Sequence, residues 1–136
     1  MGSTGRCGCG DIRFEITASP LAAGQCFCRD CQYASGGGPA NAFVVKKDAL
    51  RIISGEVRSF EVSLAEGRRS VRQFCQRCGT PLFGWKSRAP QIVAVMAGAM
   101  DDPTVFKPMS VGWTSSAPPW AHLDPSLRKF PRNADE

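Results

Sequence analysis

A chain of 136 residues, 43% hydrophobic and 21% charged, has the size and make-up of one folded domain rather than a disordered chain. Its longest apolar run, residues 92–100, falls well short of the ~20 residues a membrane-spanning helix needs. The formal charge of +5 counts the seven cysteines as neutral; seven thiolates around two Zn²⁺ ions would leave +2, so charge makes no case for a nucleic-acid partner.

In chain order, residues 11–17 alternate with Ile12, Phe14 and Ile16 on one face, which predicts a strand. Residues 41–47, 49–54, 58–63, 70–75, 81–85, 91–98 and 104–113 are further short runs rich in β-branched and aromatic residues, broken by Gly, Pro, Ser or Asp. In 58–63 the same alternation turns Phe60 and Val62 inward. The reading is an all-β fold of about eight strands in a single domain spanning 1–136, with 1–5 and 130–136 mobile. Helix is limited to single turns at 46–50 and after Cys31, and the glycines of 35–39 mark a loop. Trp85, Trp113 and Trp120 are expected in the core or at its edge, and Arg68, Arg69 and Arg72 on a solvated face. With one Tyr and dispersed arginines, no basic stripe interleaved with aromatics offers itself to nucleic acid. No apolar segment follows the N-terminal charge, so the expectation is a cytoplasmic protein without a membrane partner, where disulfides are disfavoured.

Three cysteine clusters punctuate these strands: Cys7 and Cys9; Cys26, Cys28 and Cys31; Cys75 and Cys78. An odd number of thiols would strand one in a disulfide framework, and spacings this close pair poorly, so metal ligation explains them better. Cys75 and Cys78 have the CxxC spacing of a knuckle around one ion, with Gly79 able to take positive φ; a thioredoxin-like redox pair would need a βαβ context that is missing. Cys7 and Cys9 lie at i and i+2 on one side of an extended chain, and flexible Gly8 eases their approach to the ~3.8 Å sulfur spacing of a tetrahedral zinc. Together the two pairs make a closed Cys₄ site of structural type. The triplet offers only three sulfurs to a second ion, and three protein ligands with an open position are the pattern of a catalytic zinc. A fourth ligand from His122, the only histidine, or from Asp30 would close that site, and other divisions of the seven thiols stay open.

The stretches GRCGCGDIRFEI, CFCRDCQYASGG, FCQRCGTPLFGW and SAPPW resemble the glutathione-dependent formaldehyde-activating enzyme family, often called GFA-like, over nearly the whole chain. The resemblance implies an all-β, zinc-containing fold of the Mss4-like or β-tent type. It implies a structural zinc on Cys7, Cys9, Cys75 and Cys78 and a second, catalytic-type zinc on Cys26, Cys28 and Cys31, hence two Zn²⁺ per chain. The implied activity is a carbon–sulfur lyase of the S-(hydroxymethyl)glutathione synthase type, whose partners are a small thiol such as glutathione and a small aldehyde. Phe27 stands where many relatives have His, and RDCQYASGGG looks more like the broad branch of the family than its formaldehyde enzymes. An apolar side chain there leaves proton handling to Asp30, solvent or the substrate. The alternative is a non-catalytic, zinc-stabilised protein-binding module, since related domains occur in a centromere protein and architecture does not dictate catalysis.

Overall fold

Ile12, Phe14 and Ile16 are all buried, so the alternation read from the sequence is the one that fixes a strand against the core. In the computed structural model, which describes residues 2–133, the elements follow as β1 (Ser3–Arg6), β2 (Arg13–Ile16), β3 (Ala22–Cys26), α1 (Arg29–Ser35), β4 (Ala40–Lys46), β5 (Leu50–Ser54), β6 (Val57–Ser63), β7 (Arg69–Cys75), β8 (Pro81–Lys86), β9 (Ile92–Met96), β10 (Ser110–Gly112) and β11 (Arg128–Lys129). Sheet dominates, as the all-β reading requires, with one α-helix among the described residues. Residues 47–49, within the expected single turn at 46–50, form a 3₁₀ turn. No helix among the described residues is long and apolar enough to cross a membrane.

The strands form a three-stranded sheet, β1-β2-β5, and an eight-stranded sheet, β11-β10-β3-β4-β9-β8-β7-β6. Pairing is antiparallel except that β10 runs parallel to both β3 and β11. The core lies between the sheets, where the ring of Phe14 meets that of Phe83 edge-on with centroids 5.0 Å apart. Phe43, Val45, Val93 and Val95 extend the same buried layer. β1 closes over Phe14 through Gly5, where a Cβ would collide with the Phe14 ring and the carbonyl of Ala99.

Several expectations are corrected by the packing. Phe60 does not turn inward: it is 55% exposed, because on the edge strand β6 it shares a face with its cross-strand partner Arg72, opposite to the buried Val71. Trp120 is 70% exposed rather than in the core, while Trp85 and Trp113 are half-buried. Toward both ends the described residues make defined contacts. Ser3–Arg6 pairs with β2, the Phe130 N–H bonds the Val111 carbonyl at 2.9 Å, and the Trp113 indole donates to Asn133 at 2.9 Å. Residue 1 and residues 134–136 of the expected mobile ends lie outside the described residues.

Candidate metal centre

The two turns that carry Cys7, Cys9, Cys75 and Cys78 are built by short backbone bonds. Gly10 at φ 80° donates to the Cys7 carbonyl at 3.0 Å, and Gly79 at φ 78° donates to the Cys75 carbonyl at 2.8 Å. The turns interlock through Thr80, whose hydroxyl accepts the Gly8 N–H at 2.9 Å and lies 3.1 Å from the Cys78 sulfur. The four sulfurs lie within 4.8 Å of one another. Cys7–Cys9 and Cys9–Cys75 are separated by 3.6 and 3.8 Å, which suits thiolates at the corners of a tetrahedron with Zn–S of about 2.3 Å. Backbone N–H groups already point at the sulfurs: Ile12 at Cys7 (3.2 Å), Arg77 and Cys78 at Cys75 (3.4 Å each). The hydroxyl and N–H of Thr80 bring the Cys78 thiol down to about 5. This donor set fits a soft divalent cation held between the first turn and the β7–β8 turn.

Cys26 ends β3, and Cys28 and Cys31 sit at the start of α1, so one change from strand to helix gathers the triplet within 4.8 Å. Cys28 is the N-cap of that helix; its sulfur accepts the Cys31 N–H at 3.4 Å. Hydrogen bonds from Cys26 and Cys31 hold the Cys28 thiol down at about 2, with Lys86 adding its charge, whereas Cys26 and Cys28 push the Cys31 thiol up. Three thiols so close favour one ionised sulfur among them, and a bound cation is what lets more ionise. Phe27, between the first two, is buried and bonds the Gly112 carbonyl through its N–H at 3.0 Å, fixing the turn against β10.

Both clusters could therefore hold a metal ion, and they differ in completeness. Among the described residues, no His, Asp or Glu joins Cys26, Cys28 and Cys31. His122 is exposed and in neither cluster. Asp30 is engaged elsewhere: its Oδ1 receives Arg72 at 3.1 Å, and the same guanidinium lies over the Phe60 ring at 5.4 Å. Arg72 is thus not part of a solvated face, its side chain being only 27% exposed with a buried Nε that meets no acceptor. Arg68 is half-buried, and Arg69 is exposed, paired with Glu61 at 2.6 Å.

Gln32, which the sequence reading passed over, holds the helix in place. Its amide donates to the carbonyls of Phe27 at 2.7 Å and Ser116 at 2.9 Å while its oxygen accepts from Arg29. A buried amide with both donors used locks α1 onto the segment after β10. Gln32→Ala is expected to cost about 2–3 kcal/mol by orphaning those carbonyls, measurable as a lowered urea midpoint with unchanged m.

The family model described as glutathione-dependent formaldehyde-activating enzyme matches residues 2–116. Over 125 residues the chain is 30% identical to a Halomonas elongata protein that bears the family's name, covering 88% of this chain and 80% of that one. A crystal structure of a Rhodobacter sphaeroides protein aligns with a TM-score of 0.61 over 93% of this chain and 98% of the other, at 16% identity, which shows a shared fold.

Proposed function

The chain belongs to the glutathione-dependent formaldehyde-activating enzyme family, and from that premise we propose that it is a zinc-dependent carbon–sulfur lyase that joins a small thiol to an aldehyde and reverses the step. The observation that carries this reading is the incomplete triplet: three convergent sulfurs, no fourth side-chain ligand among the described residues, and Cys31 lining a cavity of about 590 Å³. On this reading Cys7, Cys9, Cys75 and Cys78 hold a structural zinc, and Cys26, Cys28 and Cys31 hold the second. When bound there, zinc would supply Lewis acidity that favours the thiolate form of an incoming thiol.

The remaining roles fall to the chain's own side chains. Among the described residues that line the cavity Asp30 is the only carboxylate, next in sequence to Cys31, and Arg72 fixes its Oδ1. On this reading its carboxylate takes the thiol proton and returns it to the aldehyde oxygen, as a general base and then a general acid. Arg72 keeps that carboxylate oriented, and the Phe60 ring lies against the Arg72 guanidinium. Lys86 adds positive charge beside Cys28 and favours anionic sulfur in the cavity.

The test is metal analysis with X-ray absorption on the full chain. Two zinc ions per chain are expected, and titration with 2-mercaptoethanol should raise the sulfur count at one of them only. A first shell that no thiol changes would favour the zinc-stabilised binding module instead.

A further inference from the structure

The 590 Å³ cavity is large for the smallest aldehyde: at about 30 Å³ per water it has room for roughly 20 waters, within the ~300–1,000 Å³ usual for cavities that enclose whole ligands. Register explains its shape. Phe60, Arg72, Gly84, Ala94 and Val44 are successive cross-strand partners over β6, β7, β8, β9 and β4, on the face opposite Val45 and Val95 of the core. The row is tall at its ends and low in the middle, so Gly84 and Ala94 floor a trough, to which α1 contributes Asp30, Cys31 and Ala34. Ile92 and Met96, on the face of Ala94, help complete a mostly apolar lining, while Trp85 turns to the core side. Among the described residues the charged lining groups are Asp30, Arg72 and Lys86; the first two neutralise one another, which leaves Lys86 as the cation without a carboxylate partner.

We propose that this trough receives an apolar, ring-sized organic body, so that the preferred adduct is the hemithioacetal of a bulky apolar thiol or aldehyde with at most one anionic group, rather than a doubly anionic peptide thiol. Two carboxylates would compete for one cation, and the apolar walls would desolvate the other without a partner. An aromatic ring instead gains from burial against Ile92 and Met96, which share the face of Ala94. The proposal rests on the lyase reading only for where the reacting sulfur sits. The step is balanced without oxidant or reductant: the S–H bond and the C=O π bond break, a C–S bond forms, and the proton ends on the former carbonyl oxygen.

The experiment uses the full zinc-loaded chain and compares benzyl mercaptan with 2-mercaptoethanol by calorimetric titration. Benzyl mercaptan should bind at least tenfold more tightly. Gly84→Leu should bring the affinity ratio of the two thiols to about one, because a Cβ at Gly84 meets only the Val71 carbonyl at 3.5 Å and the new side chain enters the trough. Ala94→Leu, at the neighbouring floor position, repeats the test on a second strand. A second arm pairs benzaldehyde with 2-mercaptoethanol and follows adduct exchange by NMR; a ring preference in one arm alone assigns the body to that half of the adduct. Equal affinity of the two thiols for the parent protein overturns the proposal, even where formaldehyde is turned over. So does a dimer that covers this face and dissociates in Gly84→Leu. Tight, Gly84-dependent ring binding with no C–S chemistry upholds the trough and removes the lyase reading instead.

Discussion

Cys75→Ser is expected to abolish cooperative folding at 25 °C. Cys75 is fully buried at the end of β7, its sulfur 3.8 Å from that of Cys9 and facing the N–H groups of Arg77 and Cys78. A closed four-thiolate zinc contributes on the order of 10 kcal/mol, comparable with the whole stability of a typical domain at about 5–15 kcal/mol. A serine hydroxyl is a poor ligand for Zn²⁺, so most of that contribution goes with one atom, and the first turn loses its tie to the β7–β8 turn. The variant should lose near-UV circular dichroism and its sharp urea transition. Chelator treatment of the parent protein should reproduce the same state, reversed by adding zinc. A native spectrum with an unchanged urea midpoint in Cys75→Ser would show that the four cysteines do not carry the fold.

Much of the fold was legible because it rests on period-two alternation that one buried face imposes. Residues 11–17 and 41–47 read correctly since Ile12, Phe14, Phe43 and Val45 all face the core. The elements that escaped are those that the alternation does not mark. β1 is the polar run Ser3–Arg6, held by Gly5 against Phe14, and β3 is Ala22–Cys26, with Gly24 rather than a β-branched residue beside β10. Phe60 misled because its pattern is that of a buried strand, while the register turns it to the face away from the core, on an edge strand. α1 runs from Arg29 to Ser35, longer than the single turn expected after Cys31, and Gln32 ties it to the nearby Phe27 carbonyl and to that of Ser116, 84 residues on, a contact no local pattern marks.

The cysteine clusters were legible for a different reason: ligand spacing is local chemistry, and CxC, CxCxxC and CxxC need no tertiary context to be noticed. What local spacing cannot give is the surroundings. The Asp30–Arg72 pair joins residues 42 positions apart, and the row Phe60, Arg72, Gly84, Ala94 and Val44 exists only once five strands are in register. A small residue in a strand, as at Gly84 or Ala94, was the available signal for a trough, but it points to one only when its neighbours across the sheet are known.

On the two-zinc reading, Cys28→Ser is expected to separate the two sites. Serine is among the best helix N-caps, so it can accept the Cys31 N–H in place of the sulfur and leave α1 formed. The change thus removes one of three sulfur donors without a large penalty in helix stability. The Cys7, Cys9, Cys75 and Cys78 cluster shares no residue with the triplet and should keep its ion. The expected result is zinc content falling from about two per chain to about one, a urea midpoint close to that of the parent, and C–S exchange reduced at least ~100-fold, the scale on which catalytic metals act. Each departure has a distinct meaning. Full exchange with one zinc lost would place the chemistry outside the triplet. Loss of folding along with the second zinc would make the triplet a scaffold, because a site that stabilises the chain as strongly as the four-cysteine cluster is a closed one. Retained folding with exchange gone leaves the unsaturated three-sulfur site at the centre of the reaction, with the trough and the Asp30–Arg72 pair arranged around it.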